Sequence, residues 1–465
     1  MVSKPNHFLP AQIAHVGLQD PLAINSENRK KFYIGKPELC APTGISTDAD
    51  VSNEFFHNQL KPLFIVMRFF GFLPIKLLFR GVSKFQLFSS IMAYSMCIYA
   101  VTTVIICFIV GDLSSVLFSG KIDFLNTIFY SMLILFMFTS ISSPVLLWLD
   151  ASNYVHYINK WTEFQILFLK VTHNRLSLNV KKRCIFHAIR CSTIGFAAIA
   201  FHFSTPYIRI WQIPGFFYAI TLVSCYLTLW ITTCGNLSTA GKSLSRNFKE
   251  ELRRKCYTAQ SIGQYRILWL RLSQLVSRSG GAMEKTSCIF FAVYLFIMTM
   301  SLYGFLYGIT SEAEIPIQSI GMGIGTVTGG CTFYVTCNAA HKVHLNVKAE
   351  IEEELQLIMS SRENHDVLIE EELPFRLEDV PLLTRRKTWL QHHEAPHQFG
   401  RQVNAFLNTI SSHPPVISVA GFFDVNREML RSYASTVVTY MIVLLQFGMG
   451  QPNNRQMNAT QNTTK

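Results

Sequence analysis

The chain has 465 residues, of which 49% are hydrophobic, 13% aromatic and only 15% charged, and its formal net charge is +12. Soluble domains hold about 25% charged residues, and 37 phenylalanines are more than one water-soluble core takes up. An ordinary soluble enzyme or binding domain is excluded, and several membrane spans are expected.

In chain order, residues 1–85 read as a cytoplasmic tail. Residues 1–50 are polar and include "SENRKK", so the first span is expected to act as its own insertion signal. The stretch "LKPLFIVMRFFGFLPIKLLF" (60–79) is apolar but interrupted by Arg68 and Pro74, which fits an interfacial helix. Seven stretches then suit membrane spans of roughly 20 residues: 86–110, 124–148, 184–204, 214–235, 286–309, 316–338 and 432–449. The sixth contains "IGMGIGTVTGGCTFYVTC", whose small residues suit close helix–helix approach. Residues 86–338 thus read as a six-span bundle with a cytoplasmic helical segment at 237–285. Residues 339–431 read as a cytoplasmic loop. It opens with the helical pattern "KAEIEEELQLIM", and "EELPFRLEDVPLLTRRKTWLQHHEAPHQ", with three prolines, reads as a flexible insertion. Residues 450–465 form an outer tail.

Charge sets the orientation. Lys plus Arg number ten in 1–85, one in 111–123, six in 149–183, one in 205–213, ten in 237–285, none in 310–315, nine in 339–430 and two in 450–465. Basic segments alternate, which places the N-terminus in the cytoplasm and the C-terminus outside. The net charge therefore speaks for anionic lipid headgroups and not for nucleic acid. The eleven cysteines avoid the outer loops, which argues against a disulfide framework. The sequons at Asn458 and Asn462 fall in the outer tail, where glycosylation is expected.

Enzymatic chemistry is not indicated. There is no nucleophile elbow and no zincin motif, and no cofactor is implied. His392, His393, Glu394 and His397 lie within six residues, but Pro396 breaks the helical spacing a metal needs, so a solvated loop is expected and no metal. Glycine-rich "GMGIGTVTGG" lies inside a span and is no phosphate loop.

The last apolar stretch, "TYMIVLLQF" (439–447), ends on an amide, Gln446, that hydrocarbon tolerates poorly. Thr-Tyr, five mostly apolar residues and Gln-Phe resemble the hallmark of the insect gustatory receptors, and "AGFFDVNREMLRS" (420–432) resembles the segment preceding it in that family. "QYRILWLRLSQLVSRSGGAMEKT" (264–286) and "GFFDVNR" are similar to the carbon-dioxide receptor branch, from which the proline-bearing insertion departs. The resemblance implies an all-α membrane protein with seven spans, an inside N-terminus and helical cytoplasmic extensions. It implies a plasma-membrane, ligand-gated cation channel assembled as a homo- or heterotetramer with related subunits, the seventh spans lining the pore. Carbon dioxide is the ligand it suggests, with a sugar or bitter tastant as alternative.

The residues themselves say more. On a helix, Ser432, Ser435/Thr436, Thr439, Val443 and Gln446 share one face, beside a face of Tyr440, Leu444 and Phe447. Around a tetramer axis such a stripe lines a water-filled path, with Val443 at a constriction and Gln446 beyond it. The alternative is a hydrogen bond from Gln446 to a neighbouring helix, and Thr439, Tyr440 and Phe447 suit helix–helix contact. The outer span halves offer Tyr130, His202, Tyr218, Tyr303, Tyr307 and Gln318 as contacts for a small-molecule ligand. Two other classes stay open. A metabotropic receptor requires the opposite topology, and a secondary transporter has only the glycine-rich span in its favour.

Overall fold

A computed structural model describes residues 56–77, 83–86, 88–119, 122–178, 180–186, 189, 193, 209–253, 258–311, 317–371 and 396–449. Most of the third expected span (184–204), the middle of the insertion with His392, His393 and Glu394, and His202, Asn458 and Asn462 lie outside the described residues.

Helices α1 (Phe56–Gln59) and α2 (Lys61–Phe69) come first. Of the apolar stretch 60–79, nine residues are helical, because Gly71 turns the chain at φ 73° and Pro74 follows. Leu63, Phe64 and Met67 face inward while Ile65, Val66 and Phe69 are exposed, a two-sided apolar helix suited to an interface. A short hairpin, β1 (Lys76–Leu77) with β2 (Ser83–Lys84), leads on. Helix α3 (Ser90–Leu117) is capped by Ser89, whose hydroxyl accepts from the Met92 amide at 3.2 Å.

Three long helices define the architecture: α4 (Phe124–Thr172), α5 (Ile213–Arg253, after a 3₁₀ turn) and, after α6 (Ala259–Ala282) and α7 (Glu284–Ser311), α8 (Ile317–Glu371). At 1.5 Å per residue, the 55 residues of α8 extend roughly 80 Å, against about 30 Å of hydrocarbon. Each therefore runs well past one membrane thickness. Segment 237–285 holds two helices. The first ends at Arg253, and the second starts behind Thr258, which shares a reciprocal cap with Ser261. Helix α6 then leads almost directly into α7.

Four of the described helices are long and apolar enough to cross a membrane: α3, α4, the Ile210–Arg253 segment and α7. Helix α5 is central, its apolar window 67% buried, whereas that of α3 is 17% buried and shows Val101, Val104 and Phe108 on its outside. The first half of α8 is short of large apolar groups because it crosses α7 closely. A Cβ on Gly308 would collide with the Ser319 hydroxyl, and one on Gly323 would meet the Phe305 ring at 2.7 Å.

Past the apolar segments, α5, α6, α8 and α9 (Pro396–Ser412) continue the same core into the part of the chain that the charge pattern assigns to water, the water-side core. Trp269 donates its indole N–H to the Val347 carbonyl at 2.8 Å and meets the Phe406 ring at 6.2 Å. Leu244, Val347, Ile351 and Leu355 are fully buried around it. Hairpin β3 (Ser418–Val419) with β4 (Phe423–Asp424) and the last helix, α10 (Arg427–Met449), complete the fold.

Candidate functional site

The base of α10 is built by the segment "GFFDVNR". Ala420 and Gly421 turn the hairpin with φ of 55° and 66°. The Val425 amide donates to the Ile417 carbonyl at 2.9 Å, with Ile417, Val419 and Val425 all buried. Asn426 caps α10 by accepting from the Met429 amide at 2.9 Å. Arg427 donates to Asn338 Oδ1 through two nitrogens, at 2.8 and 3.2 Å, which ties the helix start to α8. His344 meets the Pro415 carbonyl at 3.3 Å, and Ser273 of α6 donates to the His413 carbonyl at 2.8 Å.

Above that base, α10 touches its own chain along one row. Tyr433 donates its hydroxyl to the Leu295 carbonyl at 3.1 Å, and Val437 and Met441, at four-residue steps, are buried against α7 and α8. The remaining surface is open. Ser432, Ser435, Thr436, Thr439 and Gln446 are exposed, and Val443 is 40% and Tyr440 59% exposed. The Thr436 and Thr439 hydroxyls donate to the Ser432 and Ser435 carbonyls four residues back, so they keep to their own helix. Among the described residues, none covers Tyr440. The side chain of Phe447 is not among those described.

The expected ligand contacts divide. Tyr303 and Tyr307 of α7 cluster with Phe124 of α4, ring centroids 5.2–6.2 Å apart, and nearby Gln318 of α8 donates to Asn126 Oδ1 at 3.4 Å. Tyr130 is buried nearly two turns further along α4. Tyr218 lies elsewhere, against Phe72 at 5.0 Å. This outer cluster sits at the end of the bundle away from the water-side core.

Two features went unmarked in the sequence. Asp150, 1% exposed at the end of the second expected span, accepts from both the amide and hydroxyl of Thr286 at 2.9 and 2.8 Å. Its carboxyl group thus sits against the N-terminal turn of α7. In the sequence an acid directly after an apolar run reads as no more than a span boundary. A small aromatic cavity between α5, α7 and α8 is the second feature.

The sequence profile of the family described as 7tm chemosensory receptor matches residues 60–353 and 390–451. The chain belongs to this family. Its members are receptor channels of insects and not enzymes, and the chain is accordingly a multi-pass protein of the plasma membrane. That removes the metabotropic and transporter readings. Similar proteins include gustatory and odorant receptor 24 of Anopheles gambiae, 27% identical over 403 residues, covering 84% of this chain and 78% of that one. Gustatory and odorant receptor 21a of Drosophila melanogaster is 24% identical, covering 69% and 63%. Gustatory and odorant receptor 22 of Anopheles gambiae is 22% identical, covering 92% and 85%. Among solved structures, the insect olfactory receptor OR5 from Machilis hrabei superposes with a TM-score of 0.57 at 14% identity, covering 84% of this chain and 98% of that one. The same receptor in complex with eugenol gives 0.55. These structures establish the fold of the chemosensory receptor described here.

Proposed function

We propose that this chain is a subunit of a tetrameric, ligand-gated, non-selective cation channel. Its N-terminus lies in the cytoplasm and its last helix lines the pore. One observation carries the reading: α10 sets a single row against its own chain, half-buried Tyr433 with buried Val437 and Met441, and leaves its serine, threonine and glutamine row uncovered. In hydrocarbon that row is unfavourable, whereas around a shared axis it is hydrated. Val443, an apolar ring between polar ones, forms the closed constriction, and Gln446 lines the path beyond it. Four subunits meet through the water-side core, where apolar burial drives association that lipid does not. The preferred ligand is carbon dioxide, on the resemblance of residues 264–286 and of "GFFDVNR" to the carbon-dioxide receptor branch.

The test replaces Gln446 with cysteine and applies a small cationic thiol reagent during whole-cell recording. The currents should be blocked in Gln446→Cys and not in the unmodified chain, whose Cys97, Cys107 and Cys331 are themselves exposed. Equal sensitivity of both would remove the pore from this helix. A second ligand reading has its own support. The outer cluster of Phe124, Tyr303 and Tyr307 with the Gln318–Asn126 amides offers rings and hydrogen bonds together, which suits a sugar or bitter tastant. Loss of a sugar or bitter response in Tyr307→Ala, with carbon dioxide inert, favours it.

A further inference from the structure

We infer that the cavity between α5, α7 and α8 is a binding site for an uncharged molecule of two or three heavy atoms, and that α10 senses its occupancy through Phe333. The cavity holds about 30 Å³ and is walled by Val223, Tyr226, Phe290, Tyr294, Phe333 and Thr336, among others. The cavity is partly open, and since a single water needs roughly 10–15 Å³ of such space, a molecule slightly larger than water fits within it.

The walls decide the chemistry. Every wall hydroxyl already donates inside the protein: Tyr226 to Ser287 Oγ at 2.8 Å, Tyr294 to the Gly329 carbonyl at 2.7 Å, Thr332 to the Thr328 carbonyl at 2.9 Å and Thr336 to the Thr332 carbonyl at 2.8 Å. No wall donor is left over, and the rest is ring and aliphatic surface. Buried water wants two to four polar partners, whereas an apolar cavity stays dry and takes up apolar guests. Ions and hydrogen-bonding tastants are disfavoured for the same reason. A dissolved gas without charge or donor is the occupant that fits, and carbon dioxide belongs to that class.

The site is distinct from the outer cluster. Residues 290–294 and 303–307 of α7 lie about 13 residues apart, roughly 20 Å along the helix. It is also connected to the last helix. Phe333, 2% exposed, stacks on Tyr294 at 6.4 Å and also meets the Tyr433 ring at 5.1 Å. Phe291 joins Phe333 at 6.1 Å to Phe423 of the hairpin at 5.7 Å. A guest against Phe333 thus presses on both the first turns of α10 and its base. This link to current rests on the channel reading above, while occupancy does not.

The experiment separates the two. Val223→Leu adds one methylene to the cavity, Val223→Ile is its substitute should the first fail to reach the surface, and Phe333→Leu removes the ring that meets Tyr433. The full chain is recorded under steps of carbon dioxide at clamped pH, with surface labelling. Val223→Leu should reduce the response at least tenfold at unchanged surface level. The purified full chain is also solved under xenon pressure. Xenon should lie between Val223, Phe290 and Phe333 in the unmodified chain, be absent from Val223→Leu, and remain in Phe333→Leu while that variant's current response falls. No xenon in the unmodified chain overturns the site, whatever the currents do. Xenon bound but a full carbon-dioxide response in Val223→Leu overturns the link to the last helix and leaves the channel reading intact. A chain inert to carbon dioxide that still binds xenon here sinks that ligand and upholds the site.

Discussion

Helices α5 and α10 both carry rows of hydroxyl and amide side chains, and they dispose of them in opposite ways. On α5, Thr228, Thr232, Thr233 and Asn236 are all at most 3% exposed, within a helix enclosed by its neighbours. On α10, Ser432, Ser435, Thr436, Thr439 and Gln446 are open. Side-chain polarity is similar; the surroundings differ. On α5 the polar groups are packed in among other helices of the same chain. On α10 they are left uncovered by the described residues, and on the channel reading proposed above they face water or another subunit. A polar residue in an apolar stretch thus has no fixed meaning until its neighbours are known.

The enclosed side of this comparison should break most severely. A Cβ on Gly241 of α5 would meet the Asn346 carbonyl and Val347 Cγ2 at 2.8 Å. Gly241→Ala should therefore force α5 and α8 apart and cut surface expression more than tenfold by antibody labelling; near-normal expression would show that this contact yields. Next comes Asp150→Ala, which deprives Thr286 of its acceptor. The loss should be about 1.5–3 kcal/mol, the range for hydrogen bonds to a charged group, read as a lowered thermal midpoint in detergent. Asp150→Asn should recover part of it.

The open side should behave differently, with folding spared and current changed. Val443→Ser should raise ligand-free leak several-fold, since a polar ring wets more readily, at unchanged surface level. Gln446→Ala should alter conductance or the sodium-to-potassium permeability ratio about twofold, again without loss of protein. If Gln446→Ala instead lowers surface expression and leaves permeation alone, Gln446 belongs with the α5 row and the comparison fails.

The smallest effect concerns the joint between the two regions. Burial, and then the Arg427 guanidinium, push the His341 imidazole below its ordinary value. A histidine whose folded value is depressed leaves stability unaffected above about pH 6.5 and reduces it as pH falls through that value and below. The thermal midpoint of the purified chain should thus decline slightly more steeply below that pH than in His341→Gln.

Much of the fold was legible because its signals are local. Apolar runs marked the spans, and the spacing of Ser432, Thr436, Thr439 and Gln446 marked a stripe that does prove exposed. Of the expected ligand contacts, Tyr303, Tyr307 and Gln318 come together because their helices adjoin through a short connection. What stayed hidden depends on distant segments meeting. Val223, Phe290 and Phe333 are far apart in the chain, and among 37 phenylalanines none of these stands out. The start of α6 was hidden for another reason: its signal is only the cap at Thr258.

The fixed base of α10 has a mechanical consequence. Clamped by Arg427 on Asn338 and by the hairpin, the helix is held against sliding along its axis or spinning about it, and what remains is to lean. It is then a lever with its fulcrum at residues 425–427. Its 23 residues make an arm of about 34 Å. Val443 lies 16 residues up that arm, roughly 24 Å at 1.5 Å per residue, so a lean of about 5° carries it some 2 Å sideways. A nudge on Tyr433, about 9 Å up the arm, is multiplied two- to threefold at Val443, so on the channel reading proposed above a very small molecule would suffice to shift a gate there.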